Sequence, residues 1–100
     1  MIYIFHLLDK PDSLALRTEL RPRHKAYLAE VVDRIAFAGP LMSEDGNSML
    51  GSLLAIDFAS REEALRWQAD EPFTKGGVYG SVSVLPFVNL WPQKAGFPQD

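Results

Sequence analysis

Residues 13–39 read SLALRTELRPRHKAYLAEVVDRIAFAG, and a single proline, Pro22, stands in the middle of this run of helix formers. Proline has no N–H to donate, and its ring collides with the carbonyl four residues back. It is tolerated in a first helical turn and costly deeper inside. The stretch therefore predicts two pieces, a short helix over 13–20 and a longer one from about 22 to 36, with Gly39-Pro40 ending the region. In the longer piece Leu28, Val31, Val32 and Ile35 form an apolar stripe at helical spacing, while Arg23, Lys25, Asp33 and Arg34 fall on other faces.

Working outward, IYIFHLL (2–8) is a strand candidate rich in Ile, Tyr and Phe, followed by the turn-like DKPDS. After the helical region AGPLMSED is a short strand running into a loop, and DGNSMLG (45–51) is a connector. SLLAIDFA is a second strand. SREEALRWQAD begins with Ser60 and has Glu63 three residues on, a capping-box pattern that predicts a helix over 61–69. DEPFTKGG is a further helical turn, capped by Asp70 and ended by Gly76-Gly77, and VYGSVSVLPFVN is the last strand. The order is β-α-β-β-α-β, the ferredoxin-like arrangement, an α+β fold with an antiparallel sheet and both helices on one face. One domain over 1–90 and a loosely ordered C-terminal tail over 91–100 are expected.

The chain has 100 residues, a net charge of −3 with scattered basic residues, and no cysteine. This points away from nucleic acid and excludes disulfides, thiol catalysis and zinc–thiolate sites. The apolar N-terminus is too short to span a bilayer and lacks the pattern of a cleaved signal, so a soluble cytoplasmic protein is expected, without a membrane partner. The first strand is apolar on both sides: Ile2, Ile4 and Leu8 point one way, and Tyr3, Phe5 and Leu7 the other. Helices cover one side only. The other would leave an apolar patch too large for a monomer, which predicts a homodimer with two sheets face to face. The alternative is that the C-terminal segment folds back over the open face.

His24 lies four residues before Leu28 and so falls on the core-facing side of the expected second helix, in its first turn. The positive end of the helix dipole and the neighbouring Arg21, Arg23 and Lys25 disfavour an imidazolium there, which favours a ring ready to accept a proton. A carboxylate close by would oppose that and hold the ring in one tautomer. The plainer reading is a core-edge histidine bonded to a backbone carbonyl. In ADEPFTKGGVYG, Asp70 precedes Glu71-Pro72 at a helix start; it reads as an N-cap, as the group that orients an imidazole across the fold, or as both, since a carboxylate has two oxygens. His6 shares a strand face with Ile2 and Ile4 and reads as a partly buried strand residue. No ligand spacing calls for a metal.

RPRHKAYL, AGPL, GSLLAIDFAS, ADEPFTKGGVY and VSVLPF together resemble the YCII-related (YciI-like) family, over Met1 to about Phe87. The resemblance implies a ferredoxin-like fold that dimerises into an α+β barrel and a pocket with a His–Asp pair. On this chain the pair corresponds to His24 and Asp70. Arg21, Gly39, Pro40, Gly51, Ser52, Pro72 and Phe73 match other motif positions, with Arg21, Ser52, Pro72 and Phe73 expected to bind substrate. The loop MSEDGNSML is short, which implies a small lid. Two functions follow. One is a small cofactor-free enzyme in which His24 is general base or acid, Asp70 its orienting partner, and Arg21 an attractor for a carboxylate or enolate, acting by proton transfer or elimination on a small cyclic or aromatic metabolite. The other is a non-catalytic ligand-binding or accessory dimer in which the pair only ties helix to loop. A haem-binding monooxygenase of the same barrel class, with His24 as axial ligand, fits the residue pattern less well.

Overall fold

The computed structural model describes residues 1–91, so all but the first residue of the expected tail lies outside the described residues. Strand β1 (Ile2–Asp9) leads into helix α1 (Leu14–Ala29) and a 3₁₀ turn (Val32–Arg34). Strands β2 (Ile35–Met42) and β3 (Met49–Asp57) follow, then α2 (Arg61–Asp70), the single-turn α3 (Pro72–Lys75) and β4 (Tyr79–Phe87). The four strands form one antiparallel sheet in the order β2-β3-β1-β4, with β1 central against β3 and β4. The expected α+β ferredoxin-like architecture is the one observed. Among the described residues no helix is long and apolar enough to cross a membrane.

Two boundaries differ from expectation. The 13–39 region does not break at Pro22: α1 runs through it. The missing N–H leaves the Thr18 carbonyl without its helical donor, a loss tolerated where that carbonyl meets solvent at the exposed residue Thr18. Nor does the helix reach residue 36. It stops at Ala29, and Ile35 already pairs with Ile56 in the sheet. Val32–Arg34 tighten into the 3₁₀ turn, and the β-branched Ile35 enters the ladder against β3.

Strand alternation sends Tyr3, Phe5 and Leu7 of β1, Leu54 and Ile56 of β3 and Val84 of β4 to the helix side, where all are buried. Phe58, Ala64, Phe73 and Val78 complete this core, and Trp67 packs on Phe5 and Phe58. α2 starts as predicted: Ser60 Oγ accepts from the Glu63 N–H at 3.1 Å, and Glu63 reaches back to the Ala59 N–H at 3.2 Å. Among the described residues no helix lies on the opposite sheet face. Leu8, Phe37, Leu85 and Phe87 all lie there, 38, 46, 60 and 37% exposed.

Candidate active site

On α1 the positions 17, 20, 24 and 28 recur at helical spacing and turn toward the sheet and α3. Between this face, the strand segment Ala38–Pro40, and Met49, Ser52 and Leu54 of β3 lies a cavity of about 250 Å³. Arg17, Arg21, His24, Lys25 and Leu28 line its helix side, and Phe73 of α3 closes one end. An apolar cavity of about 150 Å³ accepts benzene, so this one has room for a substituted single ring.

His24 stacks flat on Phe73, with ring centroids 3.9 Å apart and planes 7° from parallel. Its Nδ1 is hydrogen-bonded to Oε1 of Glu71. Glu71 is almost wholly buried, which is costly for a carboxylate unless its oxygens are met. They are: Oε1 by His24, and Oε2 by the Thr74 N–H at 3.2 Å and the Thr74 hydroxyl at 3.4 Å. Gln68 in turn donates to the Thr74 hydroxyl at 2.8 Å, which fixes that group. A carboxylate on Nδ1 selects the tautomer with the proton there and turns the Nε2 lone pair outward. Among the described residues Nε2 has no hydrogen-bond partner.

The carboxylate beside His24 is therefore Glu71, not Asp70. Asp70 is the last residue of α2 and is exposed. The reason is local. Pro72 occupies the first position of α3, and a residue before proline is pushed out of the helical region. Glu71 takes that extended geometry (φ −65°, ψ 133°) and becomes the cap, its side chain turned inward. A proline at the first helical position already places the N-cap one residue earlier, so DEPF contained this signal. The setting of His24 also differs from expectation. It stands in the second half of the continuous α1, so the helix N-terminus exerts no field on it.

Of the other sequence-predicted residues, Ser52 is buried on the cavity floor, Arg21 stands exposed at the rim, and Gly39 and Pro40 form part of the far wall. Pro72 sets the start of α3 and is not part of the cavity lining. Gly51 serves through its carbonyl, which accepts from Arg17 Nη2 at 3.3 Å.

A buried polar cluster behind the cavity escaped the sequence reading. Arg17 Nη1 donates to both oxygens of Asp9 at 3.0 Å, Nη2 donates to Ser52 Oγ at 2.8 Å, and the guanidinium lies 4.8 Å from the centre of the Phe73 ring. Burial pushes the Asp9 carboxyl up from its ordinary value, with the Arg17 charge and hydrogen bond acting against it. Tyr79, paired with Asp9 across the sheet, is buried and its hydroxyl has no partner among the described residues. Burial and then the Glu71 charge push its phenol up, with Ser52 and Arg17 opposing. Arg17 was detectable as the residue seven before His24, hence on the same helix face. Asp9 and Tyr79 join it only through strand pairing.

The sequence pattern of the YCII-related domain matches residues 1–88. The chain belongs to the YCII-related family. It is 38% identical over 98 residues to protein YciI of Escherichia coli O6:H1, covering 91% of this chain and the whole of that one. A Haemophilus influenzae protein is 31% identical over the same span. Among solved structures, this YCII-related chain resembles the 5-chloro-2-hydroxyhydroquinone dehydrochlorinase of Burkholderia phenoliruptrix AC1100, seen in complex with 2,5-dihydroxybenzoquinone. The TM-score is 0.82 at 28% identity, over 88% of this chain and 94% of that one.

Proposed function

We propose that this YCII-related protein is a small cytoplasmic enzyme that moves a proton on a small cyclic metabolite without a cofactor, with His24 as general base and Glu71 as its orienting partner. The observation that carries this is the imidazole held at Nδ1 by a buried carboxylate, with Nε2 left free beside a ring-sized cavity. Nε2 would take a proton from a ring O–H or C–H, and Glu71 would stabilise the imidazolium that results. The electron pair left on the ring can expel a leaving group from the neighbouring carbon, which is elimination, or collect a proton elsewhere, which is isomerisation. The dehydrochlorinase named above, with a hydroxyquinone in its structure, supports a hydroxylated ring as substrate. The bare apolar sheet face supports a homodimer closed through the two sheets.

The test is a screen of hydroxylated and chlorinated single-ring compounds, followed by variants on whichever substrate turns over. His24→Gln is expected to lower kcat by about 100-fold or more. Glu71→Gln can still cap α3 but no longer offers a charge to the imidazolium, and is expected to lose about tenfold or more. Wild-type turnover by His24→Gln would end the catalytic reading.

A second reading has its own observation. Glu71 caps α3 and His24 packs on Phe73, so the pair also ties α1 to α3. A non-catalytic ligand-binding module would then show a lower melting temperature in His24→Gln, with ligand affinity retained and no substrate found.

A further inference from the structure

We propose that the cavity takes its ring compound as an anion, a ring-borne oxyanion such as a phenolate, an enolate or a ring carboxylate. This rests on the reading of the cavity as the substrate site. Arg17, Arg21 and Lys25 all line it, and among the described residues no aspartate or glutamate does. Arg17 is not available to a ligand as a free charge. Asp9 takes Nη1, and Ser52 and the Gly51 carbonyl take Nη2.

Arg21 and Lys25 differ. They are exposed, four residues apart on one side of α1, and neither has an ion-pair partner among the described residues. Glu71, the carboxylate bonded to His24, is buried and fully engaged. Two uncompensated cations thus stand at the cavity rim of a chain whose net charge is −3. Fixed charges of one sign at a low-dielectric cleft concentrate the opposite ion there, against the weaker repulsion of the whole molecule.

The floor adds a directed donor. Ser52 Oγ accepts from the Arg17 guanidinium, and a hydroxyl bonded to a cation is the more polarised donor, so a charged ligand oxygen competes well with the neighbouring Tyr79 hydroxyl for its hydrogen. The His24–Phe73 stack and the apolar wall of Leu28, Pro40 and Leu54 suit a flat ring. Rim cations, a floor donor and flat walls between them select a ring bearing a charged oxygen over a neutral ring of the same shape.

The experiment is an NMR titration of the full chain with benzoate, its neutral isostere benzamide, and 2,5-dihydroxybenzoquinone, which is ionised at neutral pH. Saturable shifts are expected around Arg21, Lys25 and Ser52 for both anions, with affinity at least about tenfold above that of benzamide and falling as salt is added. In the double variant R21Q/K25Q the anions are expected to weaken about tenfold, while benzamide stays within about twofold. Equal affinity for benzoate and benzamide overturns the inference. So does an anion preference that survives the double variant, or the absence of saturable binding of both anions at about 20 mM, far weaker than the millimolar range of weak specific ligands. His24→Gln separates this inference from the catalytic one. An anion preference kept in a variant that turns over normally sinks only the catalytic role. A variant that loses turnover in a protein without anion preference sinks only the present inference.

Discussion

Tyr79 carries a hydroxyl that is buried and makes no hydrogen bond among the described residues. Ser52 acts on it only weakly beside the effect of burial, so much of the cost of leaving water, about 1–3 kcal/mol, stays uncompensated. Tyr79→Phe removes the hydroxyl and keeps the edge-on packing against Phe73. It is expected to raise stability at neutral pH by about 1 kcal/mol, several degrees in melting temperature for a domain of this size. The pH dependence follows from the raised phenol. Above about pH 10, the ordinary tyrosine value, the unfolded chain releases the Tyr79 proton while the folded chain retains it. The folded state then binds more protons, so stability falls as pH rises. The variant lacks this contribution, and its advantage should widen between neutral pH and pH about 11, as urea melts at several pH values would show. A variant less stable than the wild type would mean that the hydroxyl has a partner after all.

At the level of elements, α1 is the part that sequence rules describe least well and the part that builds the site. Its face presents Arg17, Arg21, His24, Lys25 and Leu28 to the cavity, and that face exists only because the helix continues through Pro22. Two separate helices would have uncoupled the phase of Arg17 from that of His24. Proline in a helix interior is about 3 kcal/mol worse than alanine, and packing of Leu16, Leu20 and Leu28 on the core offsets this here. Pro22→Ala restores an N–H to the Thr18 carbonyl and is expected to stabilise the protein by about 1–3 kcal/mol, read as a shift in the urea midpoint at constant slope. A drop in the midpoint would show that the surrounding residues have packed around the proline ring.

For the whole molecule the decisive feature is the sheet face that the described residues leave uncovered. Leu8, Phe37, Leu85 and Phe87 place apolar side chains on all but one of the four strands of that face. A second copy is the simplest cover, because the same patch then meets itself about a two-fold axis. His6 lies on this face as well, beside Leu53 and Ser83, where sheet-to-sheet closure would enclose it. Light scattering is expected to give twice the chain mass. Leu85→Lys sits on the most exposed of these positions and is expected to give monomers, with circular dichroism unchanged. A wild-type protein that is monomeric at about 100 μM would rule out the face-to-face dimer.

The order β-α-β-β-α-β, the Ser60 cap and the two-sided character of β1 are local, since each depends on spacing within a few residues, and all were legible in the sequence. So was the position of His24 on an inward helical stripe, because period 3.6 assigns it without reference to anything distant. The identity of its carboxylate was nearly legible, since the Pro72 rule names Glu71, yet two adjacent acids differ only in which backbone geometry each adopts. The fate of residues 31–35 was not legible. Val31–Arg34 close the helix in a turn and a 3₁₀ segment, because the pairing of Ile35 with Ile56 fixes where the chain must enter the sheet. Nor was the Arg17–Asp9–Ser52–Tyr79 cluster. Asp9 and Tyr79 meet 70 positions apart through the register of β1 against β4, and Ser52 comes beside them through the register of β1 against β3. Register is a property of the whole sheet, set by which faces can be buried together. No spacing within one segment contains it, so only the tertiary structure could bring those four side chains behind one cavity.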